Sequence, residues 1–184
     1  MKKFAQEYTL SNGKKLVLRT PQLGDEQGLI DQMKIVDKET KFLARGEGEF
    51  NFTLEQEREF ISACLDDENR FFLVAEIESK IVGNCSVGLI SSNKRYLHRA
   101  SMGIAICKNY WNNGIGTRMM NECINWCKSQ GLEQLELEVV TENSRAIPVY
   151  EKLGFKIYGT KKHAMKYAEG TYADEFFMIL FLNE

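Results

Sequence analysis

Only two prolines, two tryptophans and two histidines occur in the 184 residues, and no Pro/Gly/Ser-rich linker, internal repeat or low-complexity tract interrupts them. Domain boundaries usually fall in such linkers. Their absence, at a length close to the usual ~100–200 residues per domain, predicts a single domain over residues 1–184. No stretch approaches the roughly 20 apolar residues of a membrane span. The basic residues within Met1–Glu7 are not followed by an apolar run, so the start does not read as a signal peptide. An excess of one charge is also missing. Lys plus Arg number 24 against 26 Asp plus Glu, a formal net charge of −2. Nucleic-acid binding calls for a basic stripe, and none is present. Neither a nucleic-acid nor a membrane partner is expected, and the chain reads as cytoplasmic. Its five cysteines (Cys64, Cys85, Cys107, Cys123, Cys127) show no Cys-x-x-Cys spacing, and His98 and His163 are too few to complete a zinc site. No metal is expected. The thiols read as reduced core residues.

The order of elements is clear from the pattern that is present. Asn12-Gly13 predicts a two-residue hairpin turn, with positive φ at both positions, between strands at 7–10 and 14–19. Leu16 and Leu18 share one face. A helix opens after Gly24-Asp25 with Leu29, Ile30, Met33 and Val36 at helical spacing. Residues 41–52 read as a loop. Thr53 and Gln56 form a capping-box signature for a second helix, whose expected buried face is Phe60, Ile61, Cys64 and Leu65. Strands follow at Arg70–Ile77, Ile81–Ile90 and Ala100–Cys107. Gly116–Gln130 is amphipathic, with Met119, Met120, Cys123, Ile124 and Cys127 on one side and Gly131 as its stop. A strand at Leu135–Val140 leads to a short helix from Asn143 to Gly154, then to strands at Phe155–Lys166 and Tyr172–Leu182. Phe176–Leu182 is apolar on both faces, which places it inside a sheet. The sequence β-α-α-β-β-β-α-β-α-β-β describes an α/β (α+β) layer with a mixed sheet.

Ile104–Thr117 carries the first chemical signal. A strand runs into a glycine-bearing loop that opens a helix. The first N–H groups of a helix lack intrahelical partners and carry partial positive charge, so a pyrophosphate can settle there when glycines allow close approach. Gly-x-Gly alone also describes a plain tight turn. Thr117-Arg118 replaces the Lys-Ser/Thr of a nucleotide-binding P-loop, and the first glycine of a dinucleotide fingerprint is missing.

Two motifs together carry a resemblance. Trp111-Asn112-Asn113-Gly114-Ile115-Gly116 follows Gln/Arg-x-x-Gly-x-Gly/Ala, and Asn143, Ala146, Tyr150, Gly154 and Phe155 fill every place of Asn-x-x-Ala-x-x-x-Tyr-x-x-x-Gly-Phe. The chain resembles the GNAT superfamily of acetyl-CoA-dependent N-acetyltransferases. The resemblance implies a mixed, mostly antiparallel central sheet with helices on both faces, in which the fourth and fifth strands are splayed. It implies that the loop of Trp111, Asn112, Asn113, Gly114, Ile115, Gly116 and Thr117 holds the pyrophosphate of coenzyme A through its backbone. Ile104, Ala105 and Ile106 would offer main-chain bonds to the pantetheine arm. Asn143, Ala146 and Tyr150 would lie along the cofactor, with Tyr150 protonating the leaving thiolate. Two departures stand out: Trp111 where the family has Gln or Arg, and Pro148 inside the short helix.

The implied reaction is direct acetyl transfer to an amine, without a covalent enzyme intermediate. A lysine-like amine, with pKa about 10.4, must lose a proton before it attacks, and a carboxylate can take it. Glu138 is the first candidate base, with Glu76 and His98 behind it. Glu136 and Glu138 alternate with leucines, a pattern that also describes a solvated strand face. The acceptor would be shaped by residues 25–52 and 161–175. There Glu47, Glu49, Glu169, Asp174 and Glu175 favour a cationic amine, and Lys161, Lys162 and Lys166 dilute that signal. A catalytically weak acyl-CoA sensor on the same fold is the competing reading. A homodimer would follow family habit.

Overall fold

A computed structural model describes residues 3–183. Met1, Lys2 and Glu184, part of the N-terminal reading and the ends of the expected 1–184 domain, lie outside the described residues. In chain order the elements are β1 (Ala5–Thr9), β2 (Lys15–Arg19), α1 (Glu26–Glu39), α2 (Leu54–Asp66), β3 (Arg70–Ile77), β4 (Lys80–Leu89) and β5 (Arg99–Ile106). Then come α3 (Ile115–Ser129), β6 (Gln134–Val140), α4 (Ala146–Lys152), β7 (Lys156–Lys166) and β8 (Tyr172–Phe181). Contacts group the chain into two compact units. The first holds the residues up to Gly88 together with Gly103–Cys123, and the second holds Leu89–Met102 and the residues from Ile124 onward. β5 and α3 contribute to both.

In the first unit β1, β2, β3 and β4 are antiparallel neighbours in that order. Leu16 and Leu18 of β2 are fully buried, and so are Leu73, Val74 and Ala75 of β3. One apolar cluster joins Leu29 of α1, Ile61 and Cys64 of α2 and Phe72 and Val74 of β3. The predicted capping box forms as read, with Thr53 and Gln56 each receiving the other's backbone N–H.

Two expectations fail in this unit. The β1–β2 loop is not a two-residue Asn-Gly turn, because only Gly13 takes a positive φ (79°). Leu10 N donates to Lys14 O and Gly13 N to Leu10 O, so three residues lie inside the loop. Asn12 acts through its side chain instead, accepting from Lys14 N at 3.1 Å. On α2, Phe60 is 36% exposed and meets Phe72 edge-on at 5.7 Å from the rim. The inward stripe is Glu57, Ile61 and Cys64, and Glu57 is only 3% exposed. Burial, helped by the nearby Glu26 charge, pushes the Glu57 carboxyl above its usual range.

The second unit has strands in the order β5-β6-β8-β7. β5 and β6 are parallel, paired from Arg99↔Gln134 to Ser101↔Glu136, which is three residues of each longer strand. The splay expected between the fourth and fifth strands therefore falls between the fifth and sixth, since β4 and β5 are hydrogen-bonded neighbours. β6–β8 and β7–β8 are antiparallel. The sheet pairing is therefore mixed and mostly antiparallel. β8 lies between two partners, as its two apolar faces require, with Met178 fully buried. All five cysteines are free and buried. Among the described residues no helix is long and apolar enough to cross a membrane.

Candidate functional site

The glycine loop belongs to the first unit. Cys107 N donates to Val82 O at 2.9 Å, and Glu39 Oε2 accepts from Lys108 N at 2.6 Å, so the end of β5 and the turn after it are tied to β4 and α1. Asn112 (φ 61°) and Gly114 (φ 72°) both take left-handed backbone. A Cβ on Gly114 would lie 2.8 Å from Arg118 Nη1, the movable end of a long side chain, so the demand for glycine there is the left-handed backbone. Arg118 N donates to Gly114 O at 3.1 Å, the first turn of α3. The N–H groups just inside that start have no carbonyl behind them in the helix. Asn112–Thr117 thus presents the backbone that an anionic pyrophosphate fits.

Trp111 takes the place of a polar family residue by bonding to the chain itself. Its Nε1 donates to Ile106 O at 2.6 Å. Gln32, almost fully buried, donates to Ala105 O at 3.3 Å and accepts from Asn84 Nδ2 at 2.6 Å. Alternate residues of a strand turn their backbone groups to opposite sides. Cys107 faces β4, so Ala105 does too, while Ile104 and Ile106 face away. The three main-chain positions expected to serve the pantetheine arm therefore reduce to Ile104 and Ile106, because Ala105 is turned toward β4 and Gln32.

The second motif belongs to the second unit. Asn143 does not begin α4 but caps its entry: Asn143 Oδ1 accepts from Ala146 N at 3.2 Å. The helix runs Ala146–Lys152, so Pro148 is its third residue and its missing N–H is one that the first turn does not use. Gly154, at φ 96°, lets the chain reverse so that Phe155 N reaches Tyr150 O at 3.0 Å. The Tyr150 and Phe155 rings are then 6.3 Å apart. The motif's spacing is that of a short helix ended by a left-handed glycine.

A cleft of about 490 Å³ opens on the same unit. Its charged lining is Arg99 of β5 with Glu136 and Glu138 of β6. Arg99 Nε and Nη2 both donate to Glu136 Oε1, at 2.8 and 2.6 Å, and Tyr158 OH donates to Glu136 Oε2 at 2.9 Å. Burial, with that bond, raises the Tyr158 hydroxyl above its ordinary pKa. Glu136 is thus no solvated strand residue. Glu138 lies two residues on, half exposed, with Lys161 Nζ at 3.9 Å. Burial and the hydrogen-bonded Glu138 together push the Glu175 carboxyl up. Tyr150 is not among the side chains lining the cleft.

Other candidates from the sequence are engaged elsewhere. Glu76 is paired with Arg19, which also holds Asp25. His98 enters the structure through its carbonyl, which accepts from Glu133 N and Gln134 N. Of the acidic residues expected to attract a cation, Glu47 pairs with Lys38, Asp174 with Lys162, and Glu169 accepts from Thr171. Glu49 accepts from Gly46 N. Only Glu175 joins the cleft's carboxylates. Sequence reasoning missed Arg99, Tyr158 and Arg118; the last curls over its own loop, with Nη1 3.5 Å from Gly114 O. No local pattern marks Arg99 or Tyr158. Among the described residues no cluster of His, Cys, Asp or Glu is placed to hold a metal ion.

Comparison with known proteins identifies the fold and the family. An acetyltransferase of the GNAT family from Streptococcus pneumoniae superposes with a TM-score of 0.85 at 29% identity, covering 90% of this chain and 99% of that one. The yncA protein of Salmonella typhimurium, solved with acetyl-CoA, shares the fold (TM-score 0.80, 16% identity, 92% and 95% covered). The L-amino acid N-acetyltransferase AaaT of Escherichia coli is 35% identical over 111 residues, 58% of this chain. The N-alpha-acetyltransferase 50 of Danio rerio is 36% identical over 80 residues, 43% of this chain. The chain spans 65% of the length of the first and 46% of the second. Residues 37–155, which include both motifs, match the acetyltransferase (GNAT) family, and the chain belongs to that family.

Proposed function

We propose that this chain is an acetyl-CoA-dependent N-acetyltransferase that acts on a small amine by direct transfer. The observation that carries the reading is the backbone of Asn112–Thr117, with left-handed residues at Asn112 and Gly114 ahead of a fifteen-residue helix. Helix-start N–H groups at a glycine turn suit a pyrophosphate. Acetyl-CoA supplies the acetyl group as an activated thioester. Ile104 and Ile106, whose backbone faces away from β4, line the pantetheine arm and polarise the thioester carbonyl. Asn143 and Ala146 of the second motif contact the cofactor at the entry to α4.

The acceptor amine attacks only when neutral. Glu138 takes its proton, directly or through water. Its cleft position favours it over Glu76, which is held by Arg19. Tyr150 returns a proton to the departing sulfur. The relatives AaaT and N-alpha-acetyltransferase 50 are named for amino acids and for α-amino groups, and an acceptor with a free α-amino group suits this cleft.

The test is thiol release from acetyl-CoA with a panel of amines, for the wild type beside Tyr150→Phe. We expect turnover with some amine and a loss of roughly 10²-fold or more in kcat in the variant, at unchanged acetyl-CoA affinity. Tight acetyl-CoA binding without release for any amine would overturn the catalytic reading and leave a sensor.

A further inference from the structure

The cleft holds one cation, and how that cation is held decides what it can recognise. Arg99 directs Nε and Nη2 to a single oxygen of Glu136. Its Cζ sits 5.5 Å over the Tyr96 ring. Glu136 is in turn fixed by Tyr158. The guanidinium is therefore held from two sides, by Glu136 and by the Tyr96 ring, yet Nη1 takes no partner among the described residues. Arginine offers five donors in a planar fork, and such a fork suits a second carboxylate. Holding it rigid beforehand reduces the ordering cost of binding one.

We propose that Arg99 is the carboxylate anchor of the acceptor site, so that the acceptor is a free zwitterionic α-amino acid. The inference rests on the N-acetyltransferase reading and deepens it. A carboxylate seated on Arg99 leaves the α-amino group one carbon away, on the side of the cleft where Glu138 waits as base. Leu89, Ile90, Met102, Leu137 and Phe177 supply the apolar part of the lining, with Ser101 beside them. They give the acceptor's side chain an apolar wall, so leucine-like and phenylalanine-like acceptors fit best. A volume of about 490 Å³ is in the range of small-molecule sites. A peptide N-terminus would place an uncharged amide where the anchor expects a carboxylate, and the unspent Nη1 would gain nothing ionic from it.

The experiment compares L-leucine and L-phenylalanine with L-leucinamide and L-phenylalaninamide. Each is measured as acceptor with acetyl-CoA and, separately, by equilibrium binding. The wild type is set beside Arg99→Gln and beside Arg99→Gln combined with Glu136→Gln. The double variant leaves no uncompensated carboxylate and covers the case in which the single one fails to fold. The wild type should prefer the acids over the amides by roughly 10–100-fold, the range expected for a hydrogen-bonded charged group. Both variants should lose most of that preference through KM for the acids, with the amides little changed. An ion pair that only holds the strands together would lower acids and amides alike, and that outcome overturns the anchor. Equal use of acids and amides by the wild type overturns it as well, while leaving the transferase reading in place. Arg99-dependent binding of leucine without thiol release from any amine would uphold the anchor and sink the transferase reading.

Discussion

Trp111 Nε1 donates to the carbonyl of Ile106, five residues back, at 2.6 Å. This bond spans the base of the glycine loop, beside the backbone bonds Tyr110 N to Cys107 O and Trp111 N to Lys108 O. Trp111→Phe keeps an aromatic ring and deletes the donor, leaving a part-buried carbonyl unpaired at a cost of about 1–3 kcal/mol. We expect a lower Tm and weaker acetyl-CoA binding, read by thermal unfolding and by titration. Trp111→Gln, which restores an N–H of the family's kind, should recover part of both. If Trp111→Phe leaves both values at wild type, the bond does not hold the loop.

Glu138 and Glu175 come from neighbouring strands and act on each other. Glu175 is raised first by burial and then by Glu138. Glu138→Gln removes only the second cause. Glu175 should then titrate at lower pH than in the wild type, while staying above an ordinary glutamate. Carboxyl-selective NMR titration reads this directly. An unmoved Glu175 would show that burial alone sets it. The same variant should lower kcat by roughly 10²–10⁴-fold if Glu138 is the base.

Tyr8 OH donates to Glu122 Oε1 at 2.8 Å. Burial first, and this bond second, raise its pKa from the ordinary 10 to about 12. A folded-state pKa above the unfolded one means stability that is fully present below pH 10 and lost as pH rises through 12. Tyr8→Phe lacks that titration. The stability gap between wild type and variant should therefore narrow steadily from pH 10 to pH 12. Denaturant melts at several alkaline pH values would show it, and a constant gap would refute it.

Gly154 sits at φ 96°, and a Cβ there would lie 3.1 Å from Leu180 Cδ1. Gly154→Ala should cost about 1–3 kcal/mol through backbone strain alone. Because Gly154 sets the reversal that brings Phe155 to Tyr150, the variant should also lose turnover. Activity at full folding, measured well below the variant's Tm, separates the two effects.

Much of this was legible in the chain. Thr53 and Gln56 announce the start of α2 because a capping box is local, satisfied within four residues. The apolar faces of Phe176–Leu182 announce an inner strand, and β8 does lie between β6 and β7, although Phe181 stays 41% exposed. The motif residues Asn143, Tyr150 and Gly154 are local too, and they announce a short helix, although it runs Ala146–Lys152 and Asn143 caps its entry instead of beginning it. The cleft was not legible. Arg99 meets Glu136 across 37 residues and Tyr158 meets it across 22. Those meetings depend on which strands become neighbours, which no local period records. Glu57 was hidden for a related reason, since its helical phase points inward whatever its charge. Asn12-Gly13 misled because Asn has two ways to serve a turn, and here its side chain served instead of its backbone.

β8 is made after β6 and β7 yet lies between them. A nascent chain that has emerged only as far as Lys166 holds β7 with no neighbour to bond and β6 with one side bare. Translation must pass Phe181 before either is completed. The second unit is therefore completed late, with only β5 and β6 able to pair beforehand, whereas the antiparallel neighbours β1 to β4 can pair as they emerge. Until then, the cleft that Arg99, Glu138 and Phe177 line does not exist.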